Sequence, residues 1–152
     1  MRLLGASTFE VTPPNYILVT SGTAFVVPAV VCYLHHQYLT SILCCMLAQS
    51  SVQYHGNPTP LSFLIDQAAV ATVVWNTVWM AYELGVWGIV ASVLLKSYAL
   101  FIYCGPCSKR LAYHPNLVIG SLWHGSIHLV TAAGIAIAST QFPNADSPQY
   151  IK

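Results

Sequence analysis

Long apolar runs separated by short polar turns make up most of the chain. A helix crossing a bilayer needs about 20 predominantly apolar residues, with a range of roughly 17 to 25. Five stretches meet that requirement, at about 16–33, 38–54, 61–82, 86–103 and 117–140. The turn His35-His36-Gln37 is short enough to demand a helical hairpin, and Gly56-Asn57-Pro58-Thr59-Pro60 and Glu83-Leu84-Gly85 punctuate the next two runs. A loop is expected from Cys104 to Arg110, because Gly105-Pro106 does not continue a helix. Pro28 falls inside the first run and predicts a kink there, since proline removes a backbone donor and its ring crowds the preceding turn. The pattern therefore predicts an all-α fold, an integral membrane bundle of five transmembrane helices, with residues 1–152 forming one transmembrane domain. The polar tail from Gln141 to Lys152 is expected to lie extended on the surface.

Composition sharpens this picture. Hydrophobic residues make up 56% of the 152 and charged residues only 6%, against about 25% charged in a soluble domain. Mean hydropathy is +0.62. A formal net charge of +1 leaves no basic patch, so nucleic acid is not an expected partner. Five cysteines, an odd number, imply no disulfide framework, and Cys32, Cys44 and Cys45 lie in apolar runs where a free thiol behaves as a small hydrophobe. The N-terminal stretch mixes Arg2, Glu10 and Pro13-Pro14 without an apolar run, which argues against a removable signal peptide. With five spans, Arg2, Lys109 and Arg110 fall on one face, predicted to be the cytoplasmic or matrix side. Tyr16, Tyr33, Tyr38, Tyr54, Tyr82 and Tyr103 fall near span ends, as an interfacial aromatic belt would place them.

The candidate chemistry lies on that same face. Ser51 and His55 close the second run four residues apart, Asp66 lies about one turn into the third, and His124 and His128, again four apart, lie early in the fifth. Residues four apart share a helix face, so each pair presents both members in one direction. Three imidazoles and a water would make a zinc site with an open position, and Asp66 would act as base or hold an imidazole in place. An ionisable group at membrane depth is costly and is characteristically paired or functional.

Ser51-x3-His55, then Asp66 eleven residues later, then His124-x3-His128 opening the last helix, resembles the superfamily of membrane hydrolases that contains the alkaline ceramidases, the progestin and adiponectin receptors and the GPI-lipid remodelling proteins. The stretch from Trp123 to Thr131 is similar to the ceramidase ending. The resemblance implies that His55, His124 and His128 bind zinc, that Asp66 activates the zinc-bound water, and that Ser51 steadies the water or the developing oxyanion. It implies membrane lipids, as amides or esters such as ceramides, for substrates, and the endoplasmic reticulum or Golgi for location. Two departures stand out: the family has seven spans, whereas one helix here occupies the 57 residues between Asp66 and His124, and the acidic N-terminal calcium site of ceramidases has no counterpart beyond Glu10.

Competing readings attach to the same residues. Lys96 lies at a similar counted depth to Asp66 and would reach it as a salt bridge, while Ser51 also suits close helix packing. A haem held by histidines would leave Ser51 and Asp66 unexplained. His35, His36 and His114 read as solvated loop residues, and Trp75 and Trp79 as packing or lipid-facing groups. Cys104-Gly105-Pro106-Cys107 spells a thioredoxin-like tetrapeptide, but it follows a helix C-terminus, whose dipole opposes a thiolate. The function classes left are a zinc-dependent lipid hydrolase and a non-catalytic accessory subunit, with other membrane subunits as partners, of which a mitochondrial inner-membrane complex is one setting.

Overall fold

A computed structural model describes residues 14–104 and 107–142. The expectations for the N-terminal stretch, for Gly105-Pro106 and for the tail beyond Phe142 fall outside these residues. Five helices follow one another: α1 (Tyr16–Leu34), α2 (Tyr38–Gly56), α3 (Pro60–Glu83), α4 (Gly85–Cys104) and α5 (Leu117–Thr140), with a 3-10 turn at Ser108–Arg110. The described residues contain no strand. Each helix boundary lies within two residues of its position in the hydropathy pattern.

Local chemistry fixes where the helices start. The Asn15 side chain accepts from the Leu18 amide at 3.2 Å and caps α1, and the Asn116 side chain does the same for α5 through Val118 and Ile119. α3 opens with a reciprocal capping box between Thr59 and Ser62 and with Pro60 in its first turn, where the missing N–H costs nothing. The α3–α4 turn is made by Gly85 at φ +72°, a left-handed conformation that glycine adopts without a Cβ penalty. Pro28 disturbs α1 as expected. Having no N–H to offer Ala24, it leaves a 3-10 turn at Thr23–Phe25 between two α-helical halves, Tyr16–Gly22 and Val26–Leu34.

Four helices, α1, α3, α4 and α5, are long and apolar enough to cross a membrane. α2 falls short on composition because it is the polar centre of the bundle. Thr40, Ser41, Cys44, Ser50, Ser51 and His55 are buried, while Leu39, Ile42 and Met46 are exposed. The core joins Phe25, Ala29 and Cys32 of α1 to Cys44, Leu47 and Ala48 of α2, Ala69 and Val73 of α3, and Ala132 and Ile135 of α5. α4 buries Ile102 alone.

Small residues bring α1, α2 and α5 together. A methyl group on Gly22 would lie 2.7 Å from Ser51 Oγ, and one on Gly125 would lie 3.1 Å from Ser21 Oγ, so the helix pairs α1–α2 and α1–α5 touch where a side chain would hold them apart. Asn15 completes this end. Its backbone N–H donates to the His55 carbonyl at 2.9 Å and its side-chain amide donates to Ser121 Oγ at 2.6 Å, tying the start of α1 to the end of α2 and to α5.

Candidate metal centre

The second helix ends where the third and fifth begin, and that topology gathers the sequence-predicted side chains. One ring nitrogen from each of His55, His124 and His128 lies within 4.8 Å of the other two. The ring centroids are 5.1 Å apart for His55–His124, 5.7 Å for His55–His128 and 4.9 Å for His124–His128. Among the described residues this is the one group of three or more His, Cys, Asp or Glu side chains close enough to share an ion. Ser51 and Asp66 line the same cavity as the three imidazoles.

A tetrahedral zinc ion with nitrogens at about 2.0–2.1 Å needs those nitrogens roughly 3.3–3.4 Å from one another. The ligand nitrogens here lie within 4.8 Å of one another, so they would have to close by up to about 1.5 Å to hold such an ion. The donor set also fits. His128 Nδ1 is hydrogen-bonded to Ser21 Oγ at 3.0 Å, which leaves Nε2 for an ion and fixes which nitrogen is available. Three imidazoles converging on one spot do not make the opposed axial pair that holds a haem.

Aromatic side chains close the site. Tyr54 packs on His55 at 4.9 Å, Tyr103 on His124 at 5.1 Å and Phe25 on His128 at 5.8 Å. Tyr54 and Tyr103 therefore depart from the belt expected of them: both line the cavity, while Tyr16, Tyr33, Tyr38 and Tyr82 are exposed at the span ends. Tyr103 is the contribution of α4 to the histidine cluster.

Asp66 is buried and accepts a hydrogen bond from Ser50 Oγ at 3.0 Å. It does not pair with Lys96, whose ammonium donates instead to Ser92 and to Thr77 Oγ1 at 3.5 Å. The cause is geometric. Side chains lean toward the N-terminus of their own helix, so in the antiparallel α3–α4 hairpin Asp66 leans toward Pro60 and Lys96 toward Gly85, away from each other. Ser51 is 2% exposed and its hydroxyl has no hydrogen-bond partner. It takes part in the close α1–α2 contact, as the packing reading expects, and is among the residues lining the cavity.

His35, His36 and His114 stay outside the cluster: His36 bonds Tyr38 at 2.9 Å and the Asn116 amide donates to His114 Nδ1 at 2.9 Å. Cys104 and Cys107 are free thiols, and the two residues between them fall outside the described range. Sequence reasoning did not select Ser21, Ser50 or Tyr103. Compared with protein families, with curated proteins and with solved structures, the chain has no match.

Proposed function

We propose that the protein is a membrane-embedded zinc-dependent hydrolase of lipid amides or esters, of the ceramidase-like type. The observation that carries this reading is the convergence of three imidazole nitrogens within 4.8 Å at one end of a long, largely apolar cavity. His55, His124 and His128 would hold the ion, and zinc so held supplies a water acidified to a pKa of about 7 and a Lewis acid for a carbonyl oxygen.

The chain's own residues divide the remaining work. Ser50 occupies Oδ1 of Asp66, which leaves Oδ2 to take a proton at the cavity wall, as general-base catalysis requires. The Ser51 hydroxyl is buried without a hydrogen-bond partner against Gly22; turned about its χ1 into the cavity, it would donate to a developing oxyanion or a water. Ser21 holds the His128 ring by its second nitrogen. The cavity, about 1220 Å³ and lined by residues such as Val70, Val73, Leu95, Ile127 and Ile135, suits an acyl chain. This reading makes membrane lipids the substrates. It sets the site at the end bearing Lys109 and Arg110, which the positive-inside rule assigns to the cytoplasm or matrix.

The test is release of fatty acid from long-chain ceramides and acyl esters by the purified chain, compared with His124→Ala. Turnover in the first and background in the second supports the hydrolase. Zinc at one per chain with background turnover in both would overturn it and leave the ion as a staple between α2 and α5 in an accessory membrane subunit.

A further inference from the structure

The cavity does not end at the histidines. It follows α3, α4 and α5 from Asp66 and Tyr103 to Met80 and Trp87, and partway along it passes a second polar station built from Lys96, Thr77 and Ser92. Along α3 the separation from Asp66 to Thr77 is eleven residues, about 16 Å at 1.5 Å per residue. The wall between them is mostly apolar, with Val70, Val73, Leu95 and Thr131 among its residues.

Lys96 is not accounted for by the bundle itself. An ammonium has three N–H donors; two go to neutral hydroxyls, and among the described residues it has no carboxylate partner. The acids in the described range are Asp66, held by Ser50 at the histidine end, and Glu83, exposed at the end of α3. Snorkelling does not account for it either. Thr77 and Ser92, which hold the amine, lie about 9–10 Å inside the α3–α4 turn by helical rise, so the charge stops within the apolar layer rather than at its surface. A cation at that depth marks a ligand or ion path in membrane proteins.

We infer that Lys96, with Thr77 and Ser92, binds the carboxylate of a long-chain fatty acid lodged in this cavity, its chain running toward the histidine end. Charge complementarity selects an anion, and the apolar wall selects a long alkyl chain. Depth selects a free carboxylate over a bilayer phosphate, because a phospholipid headgroup stays at the interface. The inference does not depend on the zinc reading, since no histidine takes part in holding the carboxylate.

The experiment measures displacement of a fluorescent fatty acid from the purified full chain in detergent by palmitate and by hexadecanol, which share a chain and differ in charge. Fixed detergent makes partitioning common to every protein compared. The wild-type chain should prefer palmitate by about 10-fold or more, the worth of one charge-assisted hydrogen bond. Lys96→Met should bring the two ligands to within about twofold, and Lys96→Arg, which keeps the charge, should retain the preference. Equal displacement by both ligands in the wild-type chain, which needs no variant to fold, would overturn the inference. So would a preference that survives in Lys96→Met. His124→Ala should keep the preference while losing zinc, so failure of one reading is distinguishable from failure of the other.

Discussion

The two sides of the bundle are built differently. On one side α1, α2 and α5 meet through Gly22, Ser51, Gly125 and Ser21, with Ala29, Cys32, Cys44 and Ala48 fully packed behind them. On the other, α4 adds nothing to the core cluster, buries Ile102 alone and borders a cavity of about 1220 Å³. The histidines sit at the seam: α2 and α5 present them from the packed side, and all three line the cavity. A metal site needs rigid backbones behind its ligands and a substrate site needs space in front of them. The contrast between the halves supplies both.

Substitutions that break the contrast should have unequal effects. Phe25→Ala removes a buried ring that packs on His128 where the packed half meets the cavity and should cost about 3–5 kcal/mol of stability, read as a lowered melting temperature in detergent. Ser21→Ala leaves the packing nearly intact but frees the second nitrogen of His128. Zinc affinity measured by chelator competition should fall about 10–100-fold, with Ser21→Thr recovering most of it. Gly22→Ala forces a methyl to within 2.7 Å of Ser51 Oγ, and the α1–α2 contact should give way at a cost of about 1–2 kcal/mol. On the open side, Val93→Ala changes an exposed residue of α4 outside the cavity wall. It should shift stability by no more than about 0.5 kcal/mol; a loss equal to that of Gly22→Ala would show that α4 is as tightly integrated as α1.

How much of this was legible in the sequence follows from what each signal encodes. Helix ends were readable because turn residues such as Pro60 and Gly85 act locally; the caps Asn15, Thr59 and Asn116 are equally local, though the apolar pattern placed those ends without them. The histidine cluster was readable because parity of spans puts the end of α2 beside the starts of α3 and α5, and four-residue spacing aligns each pair. Rotation of one helix against another is not local. Spacing to His55 singled out Ser51, yet its neighbour Ser50, about 100° further round the helix, is the residue that bonds Asp66. Ser21 has no patterned partner within α1, and its bond to His128, 107 residues away in sequence, exists because Gly125 allows close approach. Counting depth from helix ends placed Lys96 beside Asp66, and it failed because it omits the direction in which side chains lean.

The most direct test of the central claim is metal content. The full chain, purified and dialysed after zinc supplementation, should carry about one zinc per chain by elemental analysis, and His124→Ala prepared identically should carry close to none. Equal zinc in both proteins, or none in either while the wild-type chain remains folded, would contradict the account.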